Sequence, residues 1–138
     1  MSIEIGWPQI DQAPRRAASN LRPADIPREP GVYAWFRDGR CMYIGKASML
    51  RQRLGTHLRT SPDLSRSTLR ATVAERELGV SRATARARPS VITPDQVALV
   101  NRWISECDIA WITCPSAVAA DELERLLRRE RMPILNRI

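Results

Sequence analysis

Lysine is almost missing from this chain. Of its 22 basic residues, Lys46 is the one Lys and the rest are Arg. Histidine and tyrosine are nearly as scarce: His57, Tyr33 and Tyr43 are the only residues of their kinds. Cysteine is limited to Cys41, Cys107 and Cys114, too few and too scattered for a disulfide framework. They read as reduced and mostly buried. They offer no CxxC-like pair, so a zinc site completed by His57 is not expected. Long hydrophobic runs are absent; none reaches the ~18 residues of a membrane-spanning helix. The opening MSIEIGWPQIDQ has neither the basic start nor the apolar stretch of a secretion signal. The expectation is a cytoplasmic protein without a membrane partner. What remains, 138 residues at 43% hydrophobic and 27% charged, suits one domain over 1–138 with a proper core.

The formal charge is +7, and it is unevenly placed. Residues 37–88 hold 12 Arg/Lys against 4 Asp/Glu, while the remainder holds 10 against 11. One stretch thus carries the whole surplus. Such asymmetry favours a polyanion partner, most simply nucleic acid; the bland alternative is a set of solvated arginine faces. The scarce residues cluster as well. Tyr33, Tyr43, Lys46 and His57 lie within 25 positions, and Tyr, Lys and His are side chains that titrate usefully in catalysis.

Five prolines in residues 1–30 forbid a long helix there. The reading is an irregular arm over 1–25 with one short helix near 14–20. Residues 31–37 are β-branched and aromatic, a strand. Asp38-Gly39 signals a hairpin turn, and 41–45 is the returning strand. Ser48 is placed to cap a helix over about 49–59, with Leu50, Leu54 and Leu58 as its buried stripe and Arg53 and His57 sharing a neighbouring face. Residues 60–66 read as loop and 67–78 as helix, stopped by Gly79. Ser81 caps a short helix closed by Pro89. Thr93-Pro94-Asp95-Gln96 is a capping box with Pro at the first helical position, starting a helix that ends near Glu106. Residues 108–113 are a third strand. Ser116 starts a last helix with Leu123, Leu126 and Leu127 inward, ended at Met132-Pro133. The expected architecture is α/β (α+β): a small, mostly antiparallel three-stranded sheet flanked by helices, with a helical insertion over 60–107.

Pro30-Gly31-Val32-Tyr33, ten residues before Tyr43-Ile44-Gly45-Lys46-Ala47, then Leu50-Arg51-Gln52-Arg53-Leu54, resembles the GIY-YIG nuclease domain. The late Leu123-Glu124, Leu127, Pro133 and Asn136 are similar to that family's closing helix and tail. The likeness covers 26–59 and 108–136, about 60 positions. It implies a metal-dependent endonuclease that hydrolyses DNA phosphodiesters, one strand per active site, with Mg²⁺ or Mn²⁺ as cofactor. Cutting both strands would take a pair of chains, as in a homodimer. Position by position, the resemblance makes Tyr33 the general base and Tyr43 the residue that orders water or phosphate. Lys46 is a site Lys, Arg53 holds the scissile phosphate, and His57 matches a His found in some members. Glu124 is the metal-ligating carboxylate, and Asn136 closes the site. The departure is the long 60–107 stretch.

The chemistry stands beside the likeness. Phosphodiester cleavage needs an activated water, charge stabilisation and help for the leaving oxygen. A Tyr with its ordinary pKa of ~10 is a poor base at neutral pH. A cation beside it lowers that value, and Lys46 is the expected source. Arg53 can donate two parallel hydrogen bonds to phosphate. One carboxylate with waters suits Mg²⁺. Bland readings remain open: two strand tyrosines can pack with wet hydroxyls, His57 can be a satisfied helix residue, and Glu124 can pair with Arg128 one turn on. Glu122 and Glu130 have equal chemical right; register favours Glu124, between Leu123 and the Leu126-Leu127 pair. Two rival functions are a non-catalytic DNA-binding or assembly module on this fold, and a nuclease for RNA or branched DNA.

Glu77-Leu78-Gly79-Val80-Ser81-Arg82-Ala83-Thr84 resembles the turn of a helix-turn-helix, although Pro89 cuts the second helix short; a structural insertion is the alternative. Arg51, Arg59, Arg66, Arg70, Arg76, Arg82, Arg86 and Arg88 are the candidate phosphate contacts.

Overall fold

A near-continuous apolar run such as Gly31-Val32-Tyr33-Ala34-Trp35-Phe36 calls for a strand covered on both faces. In the computed structural model, which describes residues 6–137, β2 (Gly31–Arg37) is that strand. It pairs antiparallel with β3 (Arg40–Ala47) on one side and with β4 (Asp108–Thr113) on the other. The β2–β3 turn takes left-handed backbone at Asp38 and Gly39, with φ of 53° and 76°, as a tight hairpin requires. The sheet has four strands, not the expected three. Arg16–Ala17, as β1, pairs antiparallel with β4, giving the order β1-β4-β2-β3. Two residues of a proline-rich arm carry too little pattern to announce a strand.

Alternation along the strands sorts side chains into two layers. Val32, Ala34, Phe36, Ile44 and Ala110 face α1 (Trp7–Gln12) and α6 (Ala117–Glu130), where Ile10, Ala120, Leu123 and Leu127 complete a core. Tyr33, Trp35 and Ile109 face the opposite way, toward α2 (Leu50–His57), α3 (Thr68–Leu78) and α5 (Pro94–Ser105). α4 (Arg82–Ala85) is a single turn between α3 and α5. The helix expected near 14–20 sits earlier, at α1. Pro8 is tolerated there because it falls in the first turn.

The helix boundaries mostly follow their caps. Ser67, Ser81, Thr93 and Ser116 each accept a hydrogen bond from a backbone N–H in the first turn. The Thr93–Gln96 capping box is complete, and Gly79 ends α3 with φ 73°. Ser48 is the exception. Met49 is the capping position of α2 and makes no side-chain bond. The first N–H groups are met by tertiary contacts instead: Leu50 donates to the Glu29 carbonyl and Arg51 to that of Pro27.

The stretch 60–107 is not an appendage. Leu69 to Ala74 of α3 are all buried, and Leu69, Val73, Ala85, Val100 and Trp103 share one core with Tyr33 and Trp35. α4, at four residues, is only ~6 Å long, too short to lie in a major groove as a recognition helix. The helix-turn-helix likeness thus ends at its turn. The C-terminal 3₁₀ turn Ile134–Arg137 lies along β3. Asn136 there donates to the Ile44 carbonyl and accepts from the Ile44 N–H, both at 2.9 Å, covering an otherwise open sheet edge. Cys41, Cys107 and Cys114 are free, with Cys107 buried. Among the described residues no helix is long and apolar enough to cross a membrane. Residues 1–5 of the arm and Ile138 lie outside the described residues.

Candidate active site

The two motif glycines are required by space. A Cβ on Gly31 would stand 2.4 Å from the Ile112 carbonyl oxygen and 2.7 Å from Leu50. A Cβ on Gly45 would stand 2.3 Å from the Tyr33 hydroxyl and 2.4 Å from its ring. Gly45 faces Tyr33 across the β2–β3 pair, and its missing side chain is the space into which the Tyr33 ring extends. Gly45→Ala is therefore expected to displace that ring. Overpacking of this kind costs ~1–3 kcal/mol, read as a lower Tm, and any activity that depends on the Tyr33 hydroxyl should fall further than stability accounts for.

Tyr33 is 1% exposed. Its hydroxyl lies 2.7 Å from His57 Nε2 at the end of α2, and His57 Nδ1 lies 2.7 Å from Ser67 Oγ at the start of α3. Tyr43, on the same sheet face, stands with its ring 6.3 Å from that of Tyr33 and 6.2 Å from that of His57. The Tyr43 hydroxyl is 3.0 Å from Thr68 Oγ1, to which Arg53 Nη2 also donates at 3.4 Å. Tyr33, Tyr43, Arg53 and His57 thus form one cluster. Ser67 and Thr68 complete it from the stretch that the family likeness did not cover. The signal that could have found them is slight: two adjacent hydroxyls at a helix start, ten residues after His57.

Burial governs the electrostatics. It pushes the Tyr33 phenol well above its ordinary value, and nearby Tyr43 and Glu124 push the same way, while the Arg53 guanidinium pulls it down. Burial also lowers His57 to about 3, with Arg53 and Arg70 adding to the effect. His57 is thus a neutral imidazole at physiological pH, with one ring nitrogen free to accept a hydrogen bond. The cation beside Tyr33 is Arg53 and not Lys46, which corrects the expectation. Lys46 alternates onto the other sheet face with Ile44, where it pairs with Asp121 of α6. Asp121 in turn binds Arg125 at 3.1 Å.

A stability consequence follows from His57. Above pH 6.5 it is neutral whether folded or unfolded. Between 6.5 and about 3 the unfolded chain takes up a proton that the folded chain refuses, so stability falls as pH falls. Thermal unfolding of wild type should show Tm decreasing from pH 7 to pH 4.5, with a flatter line for His57→Gln.

Glu124 is buried on α6, and its Oε1 accepts from Arg128 Nη1 at 3.2 Å. The bland pairing with Arg128 is therefore real, and it leaves the second carboxylate oxygen free of an ion pair among the described residues. Among those residues no three His, Cys, Asp or Glu side chains gather as a metal cage. A lone carboxylate fits a largely hydrated Mg²⁺ better than a transition metal held by the protein. Arg53 has no acidic partner among the described residues and is only partly buried. A partly buried guanidinium without a counter-ion has its donors free for an anion such as phosphate.

The candidate DNA contacts divide. Arg70 is 1% exposed, and its guanidinium binds the Ser61 and Asp63 carbonyls and Asn101 Oδ1. It fastens the 61–66 loop and presents nothing to DNA, which corrects its place in that set. Arg86 and Arg88 bind Ser65 and Asp63 in the same loop. Arg82 faces Glu75 at 3.6 Å, and Arg51 donates to the Ile26 carbonyl at 2.8 Å. Arg59, Arg66 and Arg76 are not buried, with no protein partner for their guanidinium groups among the described residues. Arg66 directly precedes Ser67.

The chain matches the GIY-YIG catalytic domain over residues 32–137. It is 42% identical over 59 residues, 42% of its length, to UvrABC system protein C of Synechococcus sp. (strain CC9311). It is 44% identical over 62 residues, 44% of its length, to the protein of the same name from Synechococcus sp. (strain CC9902). Each match spans only 9% of the relative's own length. The match over residues 32–137 takes in both tyrosine-bearing strands, the Tyr33–His57 pair, Arg53, Glu124 and the Asn136 clasp: the chain belongs to the GIY-YIG catalytic domain family.

Proposed function

We propose that this nuclease domain is a divalent-metal-dependent DNA endonuclease that cuts one strand per active site. The observation that carries the reading is the 2.7 Å bond between a buried Tyr33 and a neutral, buried His57 beside the guanidinium of Arg53, which has no counter-ion among the described residues. A raised phenol does not ionise by itself near pH 7. With His57 Nε2 in contact the phenolate need not form in advance: as Tyr33 takes a proton from the attacking water, its own proton passes to His57 in the same step, and the imidazolium that burial disfavours at rest forms only against the negative charge growing on the phosphate. The water oxygen bonds to phosphorus and the P–O ester bond breaks on the far side. The leaving oxygen takes its proton from solvent water. Arg53 receives the non-bridging oxygens and stabilises the charge that grows on them. Tyr43, held through Thr68, orients the phosphate or the water.

Glu124 is the residue that would hold Mg²⁺ or Mn²⁺. When bound, such an ion supplies charge neutralisation at the phosphate and at the leaving oxygen. Lys46, tied to Asp121 one turn before Glu124, is assigned to holding α6 against β3. Asn136 holds the C-terminal turn against the same strand. A cytoplasmic location belongs to the same reading.

The positive surplus supports a polyanionic substrate, with Arg59 and Arg66 binding its phosphates. Replacing both by Ala should reduce the slope of log Kd against log salt by ~0.9 for each phosphate no longer neutralised, with Tm nearly unchanged. An unaltered slope assigns DNA binding to another face. The substrate itself is tested with linear duplex DNA, a four-way junction and RNA, each end-labelled and incubated with Mg²⁺. Cleavage of the duplex is expected; cleavage confined to RNA or to the junction overturns the substrate assignment. Binding to all three without cleavage supports the assembly-module alternative.

A further inference from the structure

We propose that Ser67 is a positioning residue for the reaction. Its Oγ accepts the Nδ1–H of His57, holds the ring in the Nδ1–H tautomer, and leaves Nε2 bare toward the Tyr33 hydroxyl. The inference rests on the reading of Tyr33 and His57 as the proton-accepting pair.

The geometry offers two arrangements of protons along Tyr33, His57 and Ser67. Either Ser67 donates to Nδ1 and Nε2–H donates to the phenol oxygen, or the phenol donates to Nε2 and Nδ1–H donates to Ser67. Both links are 2.7 Å long, so length does not choose between them. Acidity does. A phenol, with pKa near ~10, is a much stronger donor than an aliphatic alcohol, and its oxygen, with a lone pair delocalised into the ring, is the weaker acceptor. The second arrangement joins the strongest donor to the imidazole nitrogen, the strongest acceptor, and leaves the alcohol oxygen to accept. Ser67 Oγ already accepts from the Arg70 N–H at 3.0 Å, and a hydroxyl oxygen has two lone pairs, so it can accept twice; its own O–H is then without an acceptor among the described residues, as the Tyr33 O–H is in the other arrangement.

The environment fixes Ser67 in that role. It is 2% exposed, and its oxygen is held by the first turn of α3. The approach to that turn is ordered by three arginines: Arg70, Arg86 and Arg88 bind carbonyls or side chains of Ser61, Asp63 and Ser65. Leu64, 1% exposed, anchors the loop in the core. The consequence is chemical. When Nε2 takes the Tyr33 proton, the imidazolium has both N–H groups engaged, one by the phenol oxygen and one by Ser67. A base oriented by a third group is the recurrent logic of such pairs, and the partner of the far nitrogen sets which tautomer is present. The 60–107 stretch, which carries none of the motif residues, would thus contribute to catalysis through Ser67.

His57 is the single His of the chain, so ¹⁵N-histidine labelling reports it alone. In wild type at pH 7.5 the ring should show a protonated Nδ1 and a bare Nε2. Ser67→Ala should lose that preference and lower kcat by ~10–100-fold, the range for losing a residue that orients a catalytic ligand, with KM little changed. Ser67→Thr, which keeps the oxygen, should restore both. A wild-type spectrum with Nε2 protonated overturns the inference, as does a Ser67→Ala tautomer identical to wild type. If Ser67→Ala does not fold, the wild-type and Ser67→Thr spectra decide. These spectra need no substrate: a chain that cuts no DNA yet shows the Nδ1–H tautomer defeats the nuclease reading and leaves Ser67's hold on the ring in place.

Discussion

Tyr33→Phe is expected to lower the single-turnover nicking rate by ~10²–10⁴-fold, the usual worth of a positioned general base. The ring remains, so the packing over Gly45 and beside Tyr43 survives. What is lost is one oxygen, and with it the bond to His57 Nε2 at 2.7 Å. Leaving a buried nitrogen without a partner costs ~1–3 kcal/mol, so Tm should fall by several degrees while the protein stays folded and binds DNA. Burial on both sides of the 2.7 Å bond makes the loss two-fold in kind: the water loses its acceptor, and His57 loses the only route by which a proton reaches it in this mechanism. His57→Ala, measured beside it, should be impaired to a similar degree, because the two act as one unit and their losses do not add. An active Tyr33→Phe with a dead His57→Ala would move the base role to His57 acting directly on water.

Glu124→Gln should reduce cleavage at least ~100-fold, a loss of about 2.7 kcal/mol of transition-state stabilisation, while DNA binding and Tm stay near wild type. The substitution preserves volume in a buried position on α6, and its amide oxygen can still accept from Arg128, 3.2 Å away in the native chain. It removes the charge that a hydrated Mg²⁺ needs from a lone carboxylate. Nicking measured over a Mg²⁺ series separates the two ways this could occur: weakened metal binding is recovered at high Mg²⁺, lost chemistry is not. Retention of more than a tenth of the wild-type rate removes Glu124 from the metal-ligand role.

Much of the fold was legible because local signals agreed with the tertiary structure. Asp38-Gly39 demanded a left-handed turn, Gly79 an αL cap, and Thr93 through Gln96 a capping box, and each is where the chain places it. The central strand was legible from its unbroken apolar run. Three features were not. β1 has only two residues, and its pairing is decided by β4, far along the chain. α2 begins without a side-chain cap because carbonyls of Pro27 and Glu29 meet its first N–H groups, an arrangement invisible to a local pattern. Lys46 and Tyr33 are close in the motif but alternate onto opposite faces, and strand parity was the clue that should have separated them. The grouping of Tyr33, Tyr43, Arg53 and His57 was foreseen from scarcity and likeness, whereas Ser67 and Thr68 were hidden in a stretch read as an insertion. Arg70 shows the limit of counting charge: six consecutive buried residues on α3 turn one of the counted arginines into an internal strut.

The most direct measurement is conversion of supercoiled plasmid to nicked circles by the purified wild-type chain, followed in Mg²⁺ and in EDTA with Tyr33→Phe and Glu124→Gln run alongside. The account predicts nicking by wild type in Mg²⁺, none in EDTA, and at most about a hundredth of the rate from either variant. DNA binding by a folded wild-type chain that leaves the plasmid intact in both Mg²⁺ and Mn²⁺, or equal nicking by wild type and both variants, would contradict it.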